Sequence, residues 1–198
     1  MFTHDGYDEA NKSAALRHAR IVTASDTDDA TALAVAAFVV NVLSREQEAA
    51  LSMIERALAL NPSCATALYF GALIYGFAAR PAQAILSASR ALRLSPFDPA
   101  VFHAHMALGV AAIAEARYDE AAVHCARAAQ ANPRFGYLNL LHAEALALAG
   151  RLDEAAPIAR RGMEMVPLWR NGMLSAFGTA PELIDRLKEG GRLLGLPE

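Results

Sequence analysis

The stretch ALGVAAIAEARYDEAAVHCARAAQANP, residues 107–133, decides the fold. It reads as two antiparallel helices joined by a short turn and stopped by a proline. Leu108 and Gly109 lie on the first helix, and Tyr118, Asp119, Glu120 and Ala121 open the second. Ala121, Cys125 and Ala128 then follow at spacings of four and three, which put them on one face. Small side chains on that stripe let two helix backbones approach closely. Pro133 has no N–H to donate and disfavours helical geometry at Asn132, so the second helix ends there.

The same marks recur along the chain. Ala50, Ala84, Ala121 and Ala155 each fall twelve residues before Pro62, Pro96, Pro133 and Pro167, and the prolines are 34, 37 and 34 residues apart. The longer interval is a three-residue insertion, placed at Pro99, Ala100 and Val101 after SPFD. Helix-turn-helix units of 34 residues mark tetratricopeptide arrays, and the chain resembles such an array over about residues 8–167. The resemblance implies an all-α chain: a right-handed α-α superhelix of about four to five helix pairs with a C-terminal capping helix.

Residues 1–29 read as a partial repeat holding a second helix only. DEANKSAALRHARIVTA (8–24) carries Ala15, Ala19 and Val22 at the right spacing, and SDTDDATAL (25–33) matches NPSCATAL (61–68) with Thr27 in place of the proline. The first helix is missing or lies in residues 1–7. An uncapped solenoid end exposes an apolar face, so the chain is expected to be a fragment of a longer protein. Residues 30–167 hold four helix pairs. In the first, helices are expected near 30–43 and 47–60 with SREQ between them. One residue beyond the standard period separates Thr27 from Pro62, and it is assigned to that turn. The second has Leu68, Ala72 and Tyr75 where the motif asks for a bulky, a small and an aromatic residue. Pro157, in the first turn of its helix, is not expected to break it. Residues 168–198 form a degenerate repeat and a cap: LWRNGMLSAF (168–177) suits a further first helix. PELIDRLKEGGRLL (181–194) puts Leu183, Ile184, Leu187 and Leu194 on one side, weakened by Gly190 and Gly191.

The chain has 198 residues, is 55% hydrophobic and carries a net charge of −3. Residues 1–30 hold six acids against three bases, and the remaining fifteen acids balance fifteen bases. That balance argues against a nucleic-acid surface. Arg151, Arg160, Arg161 and Arg170 read as a solvated face beside Asp153 and Glu154. Cys64 and Cys125 show neither metal spacing nor a pairing pattern, as in a reduced, cytoplasmic protein. The polar start excludes a secretory signal, and the apolar run 30–40 is too short for a membrane span.

More narrowly, LRLSPFDP (92–99), ARYDEA (116–121) and the ending RLKEGGRLLGLPE (186–198) are similar to the C-terminal tetratricopeptide region of bacterial class III adenylate/guanylate cyclases. This implies a sensing or interaction module on a bacterial signalling protein; the cyclase domain itself has no counterpart in this sequence. In the tetratricopeptide pattern, repeat positions 2, 5, 9, 12 and 13 line a concave groove. Carried across, they give Thr31, Ala34, Phe38 and Asn41; Thr66, Tyr69, Leu73 and Phe77; His103, Met106, Val110 and Ile113; Tyr137, Leu140, Glu144 and Leu148. No lysine and one asparagine fall among them, which departs from arrays that clamp a peptide carboxylate. The expected groove is therefore apolar and takes a peptide, a helix or a partner domain, with Phe38, Asn41, Tyr69, Leu73, Phe77, His103, Met106, Val110, Tyr137, Leu140 and Glu144 as its partner-binding residues.

Such a strip is costly in water. A partner segment, a second copy in a homodimer, a missing upstream domain, the terminal helix or tight curvature are the candidates to cover it. Alanine at Tyr69 and Phe77 is expected to weaken association without unfolding the array. No catalytic residue, metal or cofactor is assigned. His103, His105, His124 and His142 raise a metal-dependent enzyme as the weaker alternative, but no HExxH, nucleophile elbow or phosphate loop accompanies them. The acids Asp119, Glu120, Asp153 and Glu154 recur at one repeat interval and suit helix N-termini.

Overall fold

The computed structural model describes residues 9–173 and 177–198. Residues 1–7, where an N-terminal first helix was sought, and the 174–176 part of the LWRNGMLSAF segment lie outside that range. Small-residue stripes set the architecture, because they bring helix backbones together. Ala50, Ala84, Ala121 and Ala155 are wholly buried. A Cβ on Gly109 would meet the Cys125 sulfur at 2.5 Å, so the two helices of residues 107–133 touch where only glycine fits. The described elements run α1 (Glu9–Ala24), α2 (Ala30–Val39), α3 (Gln47–Leu60), α4 (Ala65–Phe77), α5 (Pro81–Leu94), α6 (Val101–Ala114), α7 (Tyr118–Ala131), α8 (Gly136–Leu148), α9 (Leu152–Met165) and α10 (Pro181–Leu193). From α2 to α9 they pair as four hairpins stacked side by side, and no strand occurs among the described residues. This is the all-α tetratricopeptide solenoid.

Three of the four hairpins turn in the same way. Arg80, Arg117 and Arg151 donate their N–H to the carbonyls of Tyr75, Ala112 and Leu146, five residues back, at 2.8–2.9 Å. The preceding residue, Ala79, Ala116 or Gly150, takes a positive φ of 52–77°. That is a Schellman-type stop, and it repeats because each first helix ends at the same point of its repeat. The first hairpin differs. α2 runs into a π turn, Val40–Ser44, before Arg45 takes the left-handed position at φ 59°. Arg45 stands 18 residues after Thr27, whereas Ala79, Ala116 and Gly150 stand 17 after Pro62, Pro99 and Pro133. The extra residue assigned to the SREQ turn therefore sits inside the helix, where widening one turn absorbs it.

The insertion before α6 forms a tight turn: Asp98 donates its N–H to the Ser95 carbonyl and accepts the Ala100 N–H on Oδ1, leaving Phe97 outside in solvent. α9 passes through Pro157 unbroken. Asp119 and Glu120 lie in the first turn of α7, Asp153 and Glu154 in that of α9. Arg151 bridges α9 to the preceding hairpin through Asp119, at 3.4 Å, but such exposed pairs contribute little to stability.

After α9 the chain leaves the repeat. Residues 168–173 form turns rather than a further first helix, and Trp169 is buried with its ring edge on Tyr137, centroids 5.4 Å apart. α10 then packs on α8 and α6. Both are first helices of their hairpins, so α10 does more than cap the last repeat. It lies along the inner side of the stack.

Candidate functional site

The inner face is built from the first helices. Phe38 of α2, Leu73 and Phe77 of α4, His103 and Met106 of α6, and Phe135 and Tyr137 at the start of α8 line one cleft, which Phe177 closes. Phe177 stacks on Phe77 with centroids 6.1 Å apart. The space left over is about 30 Å³, on the order of one or two waters. Rings continue from hairpin to hairpin: Phe38 stacks on Phe70 at 4.5 Å, Phe70 meets His103 edge-on at 5.3 Å, and Phe135 meets Tyr137 at 5.2 Å. Offset and edge-on contacts of this kind suit aromatic quadrupoles and hold the row in register.

The occupant of the face is the chain's own C-terminal segment. Asn41, in the π turn, donates from Nδ2 to the Phe177 carbonyl at 2.9 Å, and Gln47 donates from Nε2 to the Gly178 carbonyl at 2.8 Å. Ala180 donates its N–H to the Phe77 carbonyl, a free helix-terminal acceptor, at 2.7 Å. Gly178 is required here: its φ is +69° and a Cβ would stand 3.2 Å from the Asn41 carbonyl. α10 follows, with Leu183 and Leu187 buried. At Gly190 a Cβ would meet the Glu144 carbonyl of α8 at 2.9 Å, and at Gly191 it would meet Oδ1 of Asn171 at 2.3 Å. Asn171 ties down the helix and the tail beyond it, donating from Nδ2 to the Lys188 carbonyl at 2.9 Å and, from its backbone, to the Pro197 carbonyl at 2.6 Å. Arg186 reaches the Tyr118 hydroxyl at 3.0 Å.

The residues assigned to the groove from sequence thus divide by environment. Phe38, Leu73, Phe77, His103, Met106 and Tyr137 line the cleft, and Asn41 holds its cover. Tyr69, Val110, Leu140 and Glu144 are buried between helices. Tyr69 hydrogen-bonds the Ser95 carbonyl at the end of α5, Val110 faces Gly76 of α4, and Leu140 faces Gly162 of α9. Of the covers considered from sequence, the terminal helix with the turn before it lies over most of this strip. Tyr69 and Phe77, both 2% exposed, are core residues, so alanine there tests packing rather than docking. Phe177, Trp169, Asn171, Gly190 and Gly191 were missed. The only sequence signal for them was the glycine pair, which read as a weakness of the helix and is its contact surface.

Electrostatics follow from burial. Burial pushes the His103 imidazole down to about 4, against the Ala100 carbonyl and Asp98, so it is neutral at pH 7. Burial pushes the Glu144 carboxyl up to about 8 and, with that carboxyl nearby, raises the Cys125 thiol. The four histidines do not converge. His105 and His124 stack at 5.8 Å across α6 and α7, His103 faces Phe70 and Phe102, and His142 lies beside Arg161 on another surface. Among the described residues no group of three or more His, Cys, Asp or Glu side chains is placed to hold a metal ion. Among them, too, no helix is long and apolar enough to cross a membrane.

No family model matches the chain, and no curated protein does. Solved structures do. PilW, a widely conserved type IV pilus biogenesis factor, superposes with a TM-score of 0.67 at 20% identity, over 89% of this chain and 83% of that one. MamA from Desulfovibrio magneticus RS-1 gives 0.60 at 16% identity, over 78% and 85%. MamA AMB-1 gives 0.55 at 21% identity, over 79% and 90%. Both neighbours are tetratricopeptide solenoids, and at these identities the likeness is one of fold.

Proposed function

We propose that this chain is a non-catalytic protein-interaction module whose docking surface is the inner face of the helix-hairpin stack. The observation that carries the reading is that this face already receives polypeptide. It hydrogen-bonds the backbone at Phe177, Gly178 and Ala180 and seats an amphipathic helix behind them. Peptide recognition by a preformed surface uses these same elements, backbone pairing for affinity and side-chain seats for selection. The similarity of LRLSPFDP, ARYDEA and RLKEGGRLLGLPE to cyclase C-terminal regions supports placing the module in a larger, cytoplasmic bacterial signalling protein.

Site-specific photo-crosslinking tests the reading. A crosslinker at His103 or Tyr137, both half-buried on the inner face, is expected to yield protein adducts in cells. The same group at Leu86 or Val123, exposed on second helices, is expected to yield none. Adducts from the second helices alone would overturn the assignment, and adducts that are all copies of this chain would favour assembly.

A further inference from the structure

We infer that residues 177–193 are a replaceable, intramolecular stand-in for the partner, and that the partner presents a helix of the same make. This rests on the reading of the inner face as a protein-docking surface and names what that surface selects. The contact face of α10 is Leu183, Leu187, Gly190 and Gly191, at i, i+4, i+7 and i+8, which a helix brings to one side. The two leucines enter the apolar seat over α6 and α8, and the glycines lie against the Glu144 backbone and Asn171 where a Cβ has no room. An entering helix therefore needs two apolar residues four apart, then two adjacent small residues, preceded by a turn with glycine at its left-handed position, whose carbonyls Asn41 and Gln47 can hold.

Three features make the stand-in replaceable rather than part of the core. Its seat leaves Oδ1 of Asn41, beside Gly178, and Oδ1 of Asn171, beside Gly191, buried without hydrogen-bond partners, so the fit in cis is incomplete. Two glycines within thirteen residues give α10 little helical propensity of its own. Gly172 and Gly178, both ahead of α10, take left-handed φ values of 80° and 69°, and neither lies in a hairpin. A tethered occupant competes at an effective concentration near the millimolar range, so a partner binds only when it outcompetes that tether. The inner face is thus autoinhibited.

The test uses the full chain and a fluorescent peptide with the sequence of residues 177–194. Gly190→Val places a branched side chain against the Glu144 carbonyl and is expected to unseat α10, seen as faster amide exchange in residues 181–193 with α4 to α8 unchanged. The peptide is expected to bind this variant at least tenfold more tightly than the wild type, and a peptide carrying the same valine to bind neither. Should Gly190→Val not fold, excess peptide on the wild type is expected to speed exchange in residues 181–193. Equal peptide binding to both chains, no binding to a chain with α10 released, or a concentration-dependent dimer of the variant would each overturn the inference. A partner that crosslinks to His103 while α10 stays protected would overturn it too, leaving the docking face itself intact.

Discussion

Glu144 is the residue where burial and chemistry conflict most sharply. It is 1% exposed, one carboxyl oxygen has no partner, and its pKa stands at about 8 in the fold against 4.5 in a free chain. Between those values the unfolded state has released a proton that the folded state keeps. The contribution of this carboxyl to stability is therefore fully present below pH 4.5 and is lost as pH rises toward 8, where the folded group ionises. Glu144→Gln is expected to remove that slope and to stabilise the protein at pH 8, as urea denaturation at pH 5 and pH 8 will show; an unchanged slope would place the proton elsewhere. Phe77 gives the complementary case. Its ring lies under Phe177 and within the core, so Phe77→Ala is expected to cost about 3–5 kcal/mol in the same measurement. Repeat position put Phe77 and Glu144 on the concave groove, but position alone does not say whether solvent, a neighbouring helix or the chain's own tail lies opposite.

At the scale of elements, the π turn and the glycine pair show what a sequence period can and cannot carry. A count from Thr27 to Pro62 reveals one residue too many. It does not say where that residue goes, because helix and turn absorb it equally in a count. The structure puts it in Val40–Ser44, where Asn41 is wholly buried and holds Phe177. Hairpins two to four, with their regular stops, have no equivalent holder. Asn41→Ala is expected to weaken the seating of residues 177–180 by about 1–3 kcal/mol, since the Phe177 carbonyl loses its donor. Amide exchange in α10 would rise while α6 and α8 keep their protection, and loss of protection throughout would mean that the asparagine supports the stack itself. The hairpins were legible because their spacing is set by local rules: alanine stripes, proline stops and a 34-residue period. The path of the C-terminal segment was not, because contacts such as Asn41 to Phe177 join residues 136 apart and leave no periodic trace. Gly190 and Gly191 are informative only once α8 is known to lie against them.

Across the whole molecule, the apolar interior falls into two clusters. One joins α1, α2 and α3 to a side of α4; the other runs from α4 through α10. In a solenoid each hairpin couples only to its neighbours, so a divided interior is a place where unfolding can stop partway. The C-terminal segment crosses that division. Through Asn41 and Gln47 it binds the first hairpin, through Ala180 the second, through Arg186 the third and through Gly190 the fourth. It is the one described tie between the ends of the stack, and it makes the state of the inner face a property of the whole chain. Removing the two leading donors together, as Asn41→Ala with Gln47→Ala, is therefore expected to do more than loosen α10. Urea unfolding of the wild type is expected as a single transition. The double variant is expected to unfold in two, residues 9–60 first, with the slope of each step smaller than that of the single wild-type transition because each exposes less surface. Amide exchange followed by mass spectrometry assigns the early step: α1 to α3 should open below the denaturant concentration that opens α6 to α9. A single transition shifted to lower urea, with the wild-type slope, would mean that neighbour contacts between α2 and α4 already suffice to couple the ends. The C-terminal segment would then be a cover on the face rather than a brace across it.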